Sequence, residues 1–441
     1  MSMNQNVSRR RFLTTAAGTA VGVVGFPYIV SSSALGKEGS VAPSERITMG
    51  CIGVGGQGGS NRGDFLREKD CRIVAICDVD QKTLQGAINT VNKRYGHQDC
   101  AGYNDFRELL ARTDIDAVSL GLPDHGHAIP AMEAARSGKD ILGEKPLSHD
   151  LREGRALGHA VQQYGRIWPT GSWQRSQAHF RFAGELVRSG RIGKVHTVEV
   201  GLPSGPSDFA QTAGQEQRVA PPAELDFDRW LGPAPYPPYR PALRPKNWRW
   251  VLDYGGGPLL DWVGHPGDMG HWGRVWVSRG DLGKSVETEP KELKQEKLGA
   301  NDVPLYESPG HGRNFLDGIK SRQETRAPGE TAQRSATPGH LGRIAMYLGR
   351  KIKFNPETEE IIGDPVASAM LGRPYRSPWH LETGEDVGKK AVCRSMGIVG
   401  SPTPNSALGI PWPMCRRAIP ALPTVVFSWA GRPCYCERVV E

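Results

Sequence analysis

Residues 46–66 read RITMGCIGVGGQGGSNRGDFL. Ile47 to Gly53 has the apolar character of a short strand. Gly53-Val54-Gly55-Gly56-Gln57-Gly58 then spells G-x-G-x-x-G, and the spacing predicts a helix from Ser60. A second strand, CRIVAICDVD, starts at Cys71 and reaches Asp78, 20 residues past Gly58. Each residue type has a physical reason. Gly53 permits a tight turn, Gly55 lets backbone N–H groups approach a pyrophosphate, and Gly58 lets helix and strand pack closely. The helix N-terminus favours an anion. Asp78 at the strand tip suits a ribose 2′-hydroxyl and repels a 2′-phosphate, which favours NAD(H) over NADP(H). In a chain with 55 glycines the glycine spacing alone is weak, and a ligand-free turn would share it. Strand, glycine turn, helix, strand and acid within one unit give it weight.

The alternation continues outward. DIDAVSLGLP (114–123) reads as an apolar strand, DHGHAIPAMEAARSG as a helix ending at Gly138, and KDILGEKPLS as a further strand. Strands alternating with helices imply a parallel sheet. The loops holding Pro123, His125 and His127, and Glu144-Lys145-Pro146, then fall at carboxyl ends of strands, where open α/β sheets bind ligands.

At 441 residues the chain has room for two domains. The net charge of +8 is unevenly placed: +3 in residues 1–36 and +3 in 383–441, leaving about +2 for the body. That excludes a nucleic-acid footprint. Residues 1–36 read as an export signal. Arg9, Arg10 and Arg11 precede Phe12-Leu13 and a mildly apolar run, Ala16–Val30, too short for a comfortable span. The paired arginines resemble the twin-arginine type, so a periplasmic location is expected. Cys51 and Cys77 lie in apolar strand-like runs, where cysteine acts as a small hydrophobe.

Further along, GGGPLLDWVGHPGDMGHW (255–272) starts a helix, with Pro258 in its first turn. On that helix Asp261, His265 and Asp268 share one face. TGSWQRSQAHF (170–180) supplies Gln174 and Arg175 as donors for a hydroxylated substrate. The histidines and acids do not form a zinc-type pairing on one face, and no metal is expected.

These pieces together resemble the Gfo/Idh/MocA oxidoreductases, the glucose–fructose oxidoreductase and inositol dehydrogenase group. The matching stretches are GVGGQG, DVD, EKPL (144–147), GRIGKV (190–195) and GGGPLLDWVGHPGD, over about 46–272 and 276–381. The resemblance implies an N-terminal Rossmann domain, here 37–168, and a C-terminal α/β domain on an open, mostly antiparallel sheet, here 169–382. It implies NAD as cofactor and a sugar or polyol as substrate, and leaves a homo-oligomer open. It places Lys145 near the nicotinamide, with Pro146 after a cis bond, and makes Asp261 and His265 the D-x-x-x-H pair. Gly53, Gly55, Gln57, Gly58, Asp78, Pro123, His125 and Glu144 are the expected cofactor residues. Gln174, Arg175 and Asp268 are those expected for substrate.

Three features depart from that pattern. Pro266 follows His265 and disfavours a helical residue before it. Residues 275–282 abut the D-x-x-x-H segment where several strands are expected, so the sheet should be shortened. Residues 383–441, dotted with Pro and Cys, show no strand or helix period and read as a disordered appendage. Three functions compete: a dehydrogenase acting on a sugar or polyol carbinol, a redox-neutral NAD-dependent glycosidase or epimerase, and a non-catalytic nucleotide-binding relative.

Overall fold

The computed structural model describes residues 41–193, 197–199, 212–244, 246–262, 276–277, 286–287, 292, 295–381, 425–428 and 434–438. The chain divides into two compact units, Met1–Arg46 and Ile47–Glu441. In the first, Pro43–Glu45 form a single 3-10 turn.

The second unit opens with a parallel five-stranded sheet. Its strands are β1 (Ile47–Ile52), β2 (Cys71–Cys77), β3 (Ala101–Tyr103), β4 (Ala117–Leu120) and β5 (Asp140–Gly143). Their order is β3-β2-β1-β4-β5, so the winding direction reverses between β1 and β4. Short β3 is an addition to the sequence reading. Helices cross over between the strands: α1 (Gly56–Phe65), α2 (Gln81–Tyr95), α3 (Phe106–Leu110), α4 (Ala128–Arg136) and α5 (Leu151–Gln163).

The sheet is apolar on both faces because both are covered. Met49 and Cys51 of β1 join Ile73, Ile76, Phe65, Leu84 and Phe315 in one cluster. Ile52 joins Val118, Leu120, Met132, Ile141, Leu157 and Trp168 in the other. The period of two along β1 sorts its side chains to opposite faces. Cys51, Cys71, Cys77 and Cys100 are buried free thiols, and burial pushes Cys51 up to about 12.

Beyond α6 (Ala178–Arg188), a second sheet gathers β6 (Thr197–Glu199), β9 (Lys353–Asn355), β10 (Glu360–Ile361), β11 (Val425–Ser428) and β12 (Cys434–Arg438). It runs β10-β9-β12-β11-β6, antiparallel throughout. Residues 383–441 were expected to lack regular structure, and β11 and β12 correct that. Val425-Val426-Phe427 carries strand-favouring side chains. The rest of that stretch lies outside the described residues. Between β6 and β9, β7 (Trp276–Val277) and β8 (Val286–Glu287) pair as a separate two-stranded ladder.

The proline-rich stretch 203–247 has the composition of a long loop, but the described residues of 212–256 are more ordered than that. They contain α7 (Phe227–Leu231) and two 3-10 turns, and fold around their own cluster of Leu225, Phe227, Leu231, Tyr239, Trp248 and Tyr254. Val79, just after β2, packs on that cluster. The chain continues into α8 (Gly257–Trp262), α9 (His311–Ser321), α10 (Gly329–Leu348) and α11 (Pro365–Ala369). Helix α9 returns to the first sheet through Phe315, and Gln333 of α10 donates to Leu151 O at the start of α5. Among the described residues no helix is long and apolar enough to cross a membrane.

Candidate active site

The glycine turn does its own helix-starting. Helix α1 begins at Gly56, not at Ser60 as the spacing predicted, with Gly55 as its N-cap. The first helical N–H groups, which lack intrahelical partners, therefore belong to the glycine-rich loop itself. Gly53 and Gly56 hold φ of 73° and 32°. A Cβ on Gly58 would stand 1.9 Å from Gly53 O, so only glycine lets the helix seat there. A Cβ on Gly55 would meet nothing within 4 Å. The cradle is thus closed on the protein side and open on the other, the form a pyrophosphate requires.

Asp78 supports the cradle from the neighbouring strand. Its Oδ2 accepts from Val54 N–H at 2.9 Å and its Oδ1 from Asp80 N–H at 3.0 Å. Burial pushes its carboxyl up, against the pull of those bonds. On α1, Gln57 Nε2 donates to Asn61 Oδ1 at 3.0 Å, and Asn61 Nδ2 donates to Glu144 Oε1 at 2.8 Å. Glu144 is nearly inaccessible; burial pushes its carboxyl up, opposed by Asn61. Sequence reading missed Asn61. Its signal is the i,i+4 spacing from Gln57.

Pro123, at the carboxyl end of β4, opens a 3-10 turn over Asp124–Gly126. His125 does not face the cleft that the reading assigned it. Its Nε2 lies 2.9 Å from Trp230 O and its Nδ1 3.1 Å from Tyr254 O, with the ring 1% exposed. Burial brings it down to about 4, so the neutral ring donates to one carbonyl and only abuts the other. It staples the 212–256 segment to the β4 loop. His127 bridges Leu122 O and Pro146 O, both at 2.7 Å, and so fixes the turn that carries Lys145. The Lys145–Pro146 peptide is cis.

Lys145 and Asp261 are brought together. Lys145 Nζ donates to Asp261 Oδ1 and to Asp261 O, each at 2.6 Å. Arg249 Nε lies 3.5 Å from the same Oδ1. Buried Asp124 accepts from Gly256 N–H at 3.3 Å, just ahead of α8. Burial pushes its carboxyl up, with Asp261 adding to the push and His127 and Lys145 opposing it. Two cations and two carboxylates thus share one corner, and an ammonium with three donors has spent two of them on Asp261. His265 and Asp268 lie outside the described residues.

Gln174 is 5% exposed, and its Oε1 has no partner among the described residues. Arg175 is buried and its Nη1 donates to Arg326 O at 3.3 Å, which turns it towards α10's approach segment. Trp173 stacks on His311 at 5.2 Å between centroids and points its Nε1 towards Glu144 Oε1, 3.4 Å away. Among the described residues no group of three or more His, Cys, Asp or Glu side chains is placed to hold a metal.

The family model for the NAD-binding Rossmann fold of the Gfo/Idh/MocA oxidoreductases matches residues 47–171. The model of that family's C-terminal alpha/beta domain matches 179–271 and 279–381. An uncharacterized oxidoreductase of Bacillus subtilis (strain 168), YrbE, is 30% identical over 174 residues, 39% of this chain and 49% of that one. A glycosyl hydrolase family 109 protein of Shewanella sp. (strain W3-18-1) is 32% identical over 162 residues, 34% of this chain and 35% of that one. The chain thus spans about half the length of the first relative and about a third of the second. The solved structure of GenD2 from gentamicin A biosynthesis in complex with NAD superposes with a TM-score of 0.46. It is 15% identical, over 68% of this chain and 94% of that one.

Proposed function

The chain belongs to the Gfo/Idh/MocA family of NAD-binding oxidoreductases, and from that premise we propose that it oxidises a sugar or polyol carbinol with NAD as hydride acceptor. The observation that carries the reading is the Lys145–Asp261 corner just past the carboxyl end of β5, the strand next to β4 in the parallel sheet. Bound NAD supplies the hydride chemistry. Gly53, Gly55 and Gly58 would hold its pyrophosphate and Asp78 its ribose, while Gln57, Asn61 and Glu144 link that cradle to the Lys145 turn.

The protein's part is proton management. Lys145 gives its remaining N–H to the carbinol oxygen, which stabilises negative charge growing there. Asp261 holds that ammonium in place. His265 takes the hydroxyl proton. Gln174, with its unspent Oε1, and Asp268 orient the other hydroxyls. On the reading of residues 1–36 as an export signal, this chemistry takes place in the periplasm.

A second reading is favoured by the glycosyl hydrolase family 109 relatives. The same corner would then serve a transient oxidation of the carbinol by NAD, loss of a neighbouring proton, elimination of the glycosidic group, addition of water across the resulting double bond and return of the hydride to the carbonyl. One experiment separates the two. The full chain is incubated with NAD and a panel of sugars, polyols and glycosides, and both NADH absorbance and product are followed. NADH rising in step with product supports the dehydrogenase. Glycoside cleavage without NADH accumulation transfers the assignment to the redox-neutral reaction, and no turnover of any compound contradicts both.

A further inference from the structure

The segment 212–256 reaches across to the far end of the cofactor cleft, and its polar contacts there are specific. Asp80 and Leu225 form a lone antiparallel bridge. Gln81 N–H donates to Glu224 O, and Asp226 N–H to Val79 O, both at 2.9 Å. This docking delivers Arg244 to the loop after β2. Arg244 Nη2 donates to Asp80 Oδ2 at 2.9 Å. Asp80 Oδ1 meanwhile accepts from Thr83 N–H at 3.0 Å and caps α2. The second cation nearby, Lys82, is likewise paired, with Glu224.

The place matters. Asp80 lies two residues past Asp78 and gives its own N–H to the Asp78 carboxylate. In a dinucleotide fold the acid at this strand end meets the ribose 2′-hydroxyl, whereas a nearby arginine accommodates a 2′-phosphate. This chain has both an acid and an arginine there, and the arginine is held by a second acid.

We propose that Asp80 and Arg244 form a ribose-discriminating pair. Asp80 holds the Arg244 guanidinium, so that no unspent cation meets a 2′-phosphate, and the chain selects NAD(H) over NADP(H). Release of Arg244 from Asp80 turns it into a 2′-phosphate receptor. The inference rests on dinucleotide binding by the glycine cradle and names a specificity determinant supplied by the second domain.

The test is equilibrium binding of NAD+ and NADP+ to the full chain by titration calorimetry. Asp80→Asn keeps an N-cap acceptor for α2, since Asn caps as well as Asp, and removes the charge that holds Arg244. The wild type is expected to prefer NAD+. Asp80→Asn should narrow that preference about tenfold, the size of one charge-assisted contact. Adding Arg244→Ala to Asp80→Asn should restore most of the preference. An Asp80→Asn/Arg244→Ala chain that keeps the full gain in NADP+ binding overturns the proposal, because relief of repulsion would then explain the whole shift. So does an unchanged preference in Asp80→Asn, or a wild type that prefers NADP+. A wild type that binds neither nucleotide overturns the dinucleotide reading itself, a result distinct from the other three.

Discussion

Lys145 is the residue on which the proposed chemistry turns, and its surroundings say how replacing it should read out. Its Nζ is tied to Asp261, and its backbone turn is tied to His127. The glycine cradle is held by other groups, Asp78 and Asn61. Lys145→Ala should therefore lower kcat by about 10²–10⁴, the range for a positioned proton-transfer group, with NAD+ affinity nearly unchanged. Steady-state kinetics beside a binding titration check this; loss of binding in step with kcat would assign Lys145 to the cofactor instead. At this scale the sequence is legible where local backbone geometry follows from a local motif. Gly53 and Gly58 make the close turn that their spacing predicts, and the Lys145–Asp261 contact joins two residues that the family resemblance singles out. His125 was misread because its partners, Trp230 and Tyr254, lie more than a hundred positions away and leave no local pattern.

Among the elements, α9 shows how a late helix secures the first sheet. Arg313 grips Asp70 with two bonds, at 2.7 and 2.9 Å, and also reaches Glu68 and Asp317. Lys320 adds a contact to Asp70 from one face further along the helix. Burial alone would push the Asp70 carboxyl up; the bonds to Arg313 and Lys320 outweigh it and hold it at about 2, against an ordinary 3.8. A depressed carboxyl stabilises the fold above its ordinary range and ceases to as pH falls through its folded value. Asp70→Asn should therefore cost about 2 kcal/mol at neutral pH. That gap should close as pH falls from about 4 towards about 2. Urea unfolding of both chains over that range is the check, and a gap independent of pH would contradict the ion-pair account. The ionic partners of this helix leave no local pattern in the sequence, because Asp70 and Arg313 are joined only by the return of α9 to the sheet.

Over the whole molecule, the same division holds. The parallel sheet announces itself through local signals, repeated strand–turn–helix units with glycine at the turns, and its order follows. The second sheet does not. Its strands are two to five residues long; β9 with β10 and β11 with β12 are local hairpins, but the pairings that join them to each other and to β6 link distant parts of the chain. The proline content of 203–247 likewise reads as loop and hides an apolar cluster assembled from scattered aromatics. A long-range knot of the same kind ties the C-terminal side to the Lys145 turn: Arg373 and Tyr375 both donate to Glu153 Oε1, at 2.9 and 2.7 Å, while Glu153 Oε2 accepts from His149 N–H at 3.0 Å. These contacts place the second domain's residues around a cleft that the first domain's glycines begin.

The account stands on a dinucleotide seated on the open side of that glycine cradle. Gly55 has a φ of −73°, and nothing lies within 4 Å of where its Cβ would be. It is also the N-cap of α1, a position where aspartate is favoured. Gly55→Asp should leave thermal unfolding of the full chain unchanged or slightly raised, while a carboxylate occupies the anion site. Titration of wild-type and Gly55→Asp protein with NAD+ should show one site per chain in the wild type and an affinity at least about a hundredfold weaker in the variant, the scale of a carboxylate set against a phosphate at close range. Equal affinity in the two chains would contradict the account.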